Sequence, residues 1–229
     1  ALMEDNLGDA TKRDLIFALG LTGRDDAEAF MLDILAAMPL KAGTAVDLQK
    51  VRLMVSLSSN DKVTPQTFDR LSVLANQVDE SANVRNNALI NMGTTIQTLE
   101  VAGESTADLR DRLTGQLSNT IDQGSSQSAS AILAAGNAKI SGLENKMVAA
   151  LATGSDKERY ASGAVLSRNP DYRQSLIDHI ADEPSNLVNN AILSNWEVST
   201  LTPAQRQQLV RIAARADAEK AQLIQQFLN

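Results

Sequence analysis

Apolar side chains recur along this chain at helical rather than strand spacing. Leu109, Leu113, Leu117 and Ile121 fall on one stripe, as do Phe30, Ile34 and Leu35. Strict two-residue alternation is absent, so no substantial sheet is expected. Six short apolar segments resemble one another: residues 15–20, 53–58, 88–93, 131–136, 164–169 and 191–196. Their starts lie 27 to 43 residues apart, inside the window for helical-hairpin repeats. Three of them end in glycine, at Gly20, Gly93 and Gly136, which suits a helix C-terminus in the left-handed conformation.

Start signals separate these segments. Thr64-Pro65 and Thr202-Pro203 place an N-cap before a proline at the first helical position. Ser105 with Asp108 resembles a capping box, and Ser141 with Glu144 and Ser155 with Glu158 match its pattern. The spacing predicts helices at 9–20, 25–38, 45–58, 65–78, 82–101, 106–121, 127–136, 141–153, 156–168, 171–181, 185–196, 203–215 and 217–228. The expected architecture is all-α, a superhelix of about six hairpins in one domain over 1–229. The Ser-, Asn-, Gln- and Gly-rich stretch 118–130 is the expected hinge or insertion.

Val84-Arg85-Asn86-Asn87-Ala88-Leu89-Ile90-Asn91-Met92-Gly93 resembles the second-half signature of HEAT repeats: a Val-Arg pair, an Ala, an apolar pair and a Gly. The acidic Asp79-Glu80 ahead of it, and Ala134-Ala135-Gly136-Asn137, are similar to turns of the same family. Asn169 and Trp196 stand where other segments carry Gly. The resemblance implies a solenoid with two layers of helices and a concave surface that binds protein partners. A second resemblance, to the superhelical domain of vitellogenin-like lipid-transport proteins, implies a lipid- or hydrophobe-binding module.

Composition supports helices and narrows the chemistry. Aromatic residues are 3% of the 229 while Ala and Leu are plentiful, which suits close helix packing. The net charge of −7 argues against nucleic acid as a partner. Without cysteine there is no disulfide and no thiolate metal site, and the compartment stays open between cytoplasmic and exported bacterial. No run is long enough for a transmembrane helix. The chain starts at Ala1 rather than Met, which suits a mature or excised piece.

No motif points to a reaction or a cofactor. His179 is the only histidine, so a Ser-His-Asp site would have to use it with Asp171 or Asp178; a structural place near the end of a short helix is the simpler expectation. Asp25-Asp26 and Asp79-Glu80 fit helix starts, where the macrodipole favours negative charge. Gly154-Ser155-Asp156-Lys157 resembles a phosphate-loop fragment but reads as the cap at Ser155. Four residues are candidate partner contacts. Trp196 would fill the interior or anchor a partner. Arg206, Arg211 and Arg215 add positive charge near the C-terminus, with Arg211 and Arg215 one helical turn apart. The 30 Asn and Gln residues, clustered at Asn86-Asn87, Asn189-Asn190 and Gln205 to Gln208, would give uncharged polar faces. The sequence thus points to a non-enzymatic scaffold that binds a protein partner.

Overall fold

The computed structural model describes residues 8–21, 25–41 and 43–229. Among the described residues there are thirteen α-helices and no strand. They fall into two compact units, Ala1–Ser141 and Gly142–Asn229. The first holds α1 (Asp9–Leu21), α2 (Asp25–Ala37), α3 (Thr44–Ser58), α4 (Pro65–Asn76), α5 (Ala82–Val101), α6 (Ala107–Asp122) and α7 (Ser128–Asn137). The second holds α8 (Glu144–Thr153), α9 (Asp156–Leu166), α10 (Arg173–Asp182), α11 (Asn186–Leu193), α12 (Pro203–Ala213) and α13 (Ala218–Leu228). Two 3₁₀ turns lie in this unit: Pro170–Tyr172 leads into α10 and Val198–Thr200 precedes α12. The expected loop-rich stretch 118–130 lies inside the first unit, where only residues 123–127 stand outside α6 and α7.

Local signals set most boundaries. Thr64 Oγ1 accepts the backbone N–H of Gln66, and Pro65 opens α4. Ser155 and Glu158 form the reciprocal box at α9, and Thr202 and Gln205 form a second one at α12. Two of the expected boxes do not form. Helix α6 is preceded by Thr106 with no side-chain cap. Helix α8 starts only at Glu144, whose carboxylate accepts the Gly142 N–H instead of closing on Ser141. Helix α5 ends in a Schellman turn: Gly103 takes φ 84°, and the Glu104 N–H donates to the Leu99 carbonyl at 2.9 Å.

In the first unit, α1 packs on α3, α3 on α5 and α5 on α7, while α4 packs on α5 and α6 on α7. In the second unit α9 packs on α11 and α11 on α13, with α10 against α12. Along α1, α3, α5 and α7 in the first unit, and α9, α11 and α13 in the second, each helix thus meets the helix two places further on. The core follows from this row. Leu53, Met54 and Leu57 of α3 and Leu89, Met92 and Ile96 of α5 are each at most 1% exposed, and each such side chain contributes roughly 1.5–3 kcal/mol on burial.

The repeat glycines do not end helices. Gly20, Gly93 and Gly136 all lie inside helices, and none is among the positive-φ residues. Gly20 and Gly93 serve approach between helices. A Cβ on Gly93 would sit 2.2 Å from the Ala134 carbonyl oxygen, so α5 and α7 touch backbone to backbone there. Gly20 lies against Ser56 between α1 and α3, and Gly163 against Ile192 between α9 and α11.

Candidate functional site

Most buried charges are consumed at helix ends. Glu28 of α2, 5% exposed, accepts the Thr64 N–H at 2.8 Å and the Thr67 hydroxyl at 2.6 Å, and so caps α4 from another helix. Lys220 of α13 donates to the Ile180 carbonyl at 3.1 Å and satisfies the C-terminal end of α10. A positive charge there also complements the helix dipole.

Two glutamates carry the densest polar networks, and the sequence around them repeats. Residues 79–90 and 182–193 align without a gap, with six of twelve positions identical: Asp79/Asp182, Glu80/Glu183, Asn83/Asn186, Asn86/Asn189, Asn87/Asn190 and Ala88/Ala191. Glu80 precedes α5 and forms an ion pair with Lys50 of α3, the two side chains being 0% and 1% exposed. Its carboxylate also accepts the Ser81 N–H at 2.9 Å. Burial pushes the Glu80 carboxyl up. The hydrogen bonds from Lys50 and the Ser81 backbone, the Lys50 charge and the Lys41 backbone outweigh that and hold it below the ordinary carboxylate range.

Glu183 precedes α11 and occupies the equivalent place. It accepts from Arg159 of α9 through Nε at 3.0 Å and Nη2 at 3.3 Å, and from the Ser185 N–H at 2.9 Å. Here too burial raises the carboxyl, and the Ser185 backbone, Arg159 and His179 lower it further.

His179 belongs to this network. Its Nε2 lies 2.9 Å from Glu183 Oε2, one helical turn along α10. Neither Asp171 nor Asp178 is its partner. Asp178 instead accepts from Gln174 at 3.1 Å and Gln208 at 2.6 Å. Ser155 is occupied by its capping box. Among the described residues no group of three or more His, Cys, Asp and Glu side chains is placed to hold a metal ion.

The four partner candidates separate. Trp196 is 7% exposed, its indole N–H donates to the Ser167 carbonyl at 3.0 Å, and its ring meets Phe227 edge-on at 6.4 Å. It is an interior side chain. Arg206 turns back on the start of its own helix and donates to the Leu201 carbonyl at 3.1 and 3.2 Å. Arg211 and Arg215 are exposed and come together, lining a cleft of about 540 Å³ with Ala181, Asp182, Gln208 and Ile212. Among the described residues neither guanidinium has an ion-pair partner. Gln208 is tied to Asp178 and Gln174, which fixes one wall.

Reading the sequence missed Glu80 and Glu183 as buried centres and treated Asp79-Glu80 as turn charge. The signal was there in the matching Asp-Glu and Asn-Asn-Ala registers of the two segments. Among the described residues no helix is long and apolar enough to cross a membrane. No known protein family, curated protein or solved structure matches the chain.

Proposed function

We propose that this chain is a helical-repeat scaffold that binds a protein partner, with the Arg211–Arg215 cleft as its anchor for acidic side chains. The observation that carries the reading is the pair of guanidiniums, one turn apart and facing one cleft in which the carboxylate of Asp182 pairs with neither, so that the cleft keeps a net positive charge in a protein of net charge −7. In so acidic a chain, cations without carboxylate partners mark a place where a partner supplies the negative charge. The row of helices in each unit supports a superhelical arrangement, as the HEAT resemblance implies, and stacks of this kind offer continuous helix faces to partners. Titratable groups that would otherwise suggest catalysis, His179 and Glu183 among them, are engaged in bonds at helix ends.

The test is to isolate the partner from native extract, identify it, and titrate the purified pair by calorimetry. Arg211→Glu with Arg215→Glu is expected to weaken binding at least about ten-fold, or 1.4 kcal/mol, and wild-type affinity is expected to fall with salt. Unchanged affinity in the double variant removes the cleft as anchor, and a monomer that finds no partner removes the scaffold reading.

The alternative is a lipid-binding module, favoured by the exposed Phe17, Leu21 and Phe30 of α1 and α2, which are 63%, 71% and 51% exposed. It requires co-purifying lipid, which mass spectrometry of an extract of the native protein detects. Lipid-free protein eliminates it.

A further inference from the structure

The first unit holds a second cleft, of about 350 Å³, between the end of α2, α3 and α4. The Lys50–Glu80 pair lines it together with Leu35, Met38, Leu40, Val73 and Leu74. Leu40 and Val73 are 44% and 54% exposed, so two large apolar side chains stand at the cleft in contact with water. Arg70 also lines it. Its Nε is shielded from solvent without a hydrogen-bond partner, and its Nη2 reaches only the Leu35 carbonyl, at 3.4 Å. Among the described residues no carboxylate pairs with it.

We infer that this cleft binds a small carboxylate bearing a short aliphatic group, with Arg70 taking the carboxylate and Leu40 and Val73 covering the tail. Lys50 and Glu80 neutralise one another, so the uncompensated charge of the cleft is the Arg70 guanidinium. Arg85 and Arg173 also carry an Nε shielded from solvent without a partner, and what sets Arg70 apart is that it lines this cleft beside exposed apolar side chains. Held by one long bond, the guanidinium meets two carboxylate oxygens by turning its Nε–Nη2 edge out of this shielded position, the geometry in which arginine binds most strongly. A dianion such as phosphate fits less well, because the carbonyl end of α2 and the Glu80 carboxylate both lie at the same cleft. The volume, at the lower end of small-molecule sites, limits the tail to a short one. This inference is independent of the partner cleft on α12.

The test is calorimetric titration of the full chain with hexanoate, against acetate, which lacks the tail, and hexylamine, which reverses the charge. Saturable hexanoate binding is expected, with acetate at least ten-fold weaker and hexylamine inert. Arg70→Gln is expected to weaken hexanoate at least ten-fold. Val73→Asp, on an exposed position that folding does not need, is expected to abolish binding. N-Acetyl-leucine distinguishes the source of the carboxylate: tighter binding than hexanoate identifies a peptide terminus, weaker binding a free aliphatic acid. Failure of hexanoate to saturate, equal binding of hexylamine, or undiminished binding to well-folded Arg70→Gln or Val73→Asp overturns the inference.

Discussion

The glutamates before α5 and α11 sit in matching sequence and meet their cations in different ways. Lys50 reaches Glu80 from 30 residues away and both are sealed from water. Arg159 reaches Glu183 from 24 residues away, is 19% exposed, and shares its charge with Asp156 at 2.9 Å. His179, 21% exposed, adds a further contact at the solvent edge. The first arrangement is a point charge enclosed with one carboxylate, so each partner depends on the other. The second is a forked, partly wet network in which the loss of one member leaves the rest with alternatives. A short segment of sequence therefore places a buried carboxylate before a helix, and the preceding helix row decides how much rests on it.

The largest expected effect comes from breaking the sealed pair. Glu80→Gln preserves shape but leaves the Lys50 ammonium buried without a counter-charge, at a cost of about 3–5 kcal/mol. Glu183→Gln is expected to cost less, about 1–3 kcal/mol, because Arg159 keeps Asp156 and water. Urea denaturation followed by circular dichroism measures both, and equal losses would remove the distinction between the two networks.

Close approach gives a second comparison. Gly93→Ala pushes a methyl onto the Ala134 backbone at 2.2 Å, where nothing yields cheaply, and should cost about 3 kcal/mol or more. Gly163→Ala meets the Ile192 side chain at 2.9 Å, which can shift, and should cost about 1–2 kcal/mol. Melting temperatures of the two variants order them.

Acid sharpens the comparison further. Both glutamates are held below their ordinary value in the folded chain, so the stability they contribute is present above the unfolded carboxylate value, about 4.3, and is lost as pH falls through the lowered folded value. The wild type is expected to lose more stability between neutral and acid pH than Glu80→Gln with Glu183→Gln. Parallel pH profiles would contradict this. The smallest effect is expected at the solvent edge: His179→Ala should change stability by less than about 1 kcal/mol, and a larger loss in the same urea assay would place His179 at the centre of its network.

The thirteen helices were legible in the chain because helices are local. The Thr202 box and the proline at Pro203 act within four residues, and α12 starts where they predict. Trp196 in the interior was one of two readings its composition allowed, and the Ser167 carbonyl that takes its N–H, 29 residues away, decided between them. Arg211 and Arg215 sharing a face followed from their spacing, but that Arg206 turns away did not, because Leu201 captures it only in the folded turn.

By itself the sequence determined that the chain is helical and where α4, α9 and α12 begin, since caps, prolines and apolar periodicity act across one or two turns. Only the tertiary structure decided which glycines are contact points, which carboxylates are buried, and which cation neutralises each. Those outcomes depend on groups 24 to 41 residues apart meeting across packed helices, and the energy of a charge is set by what surrounds it.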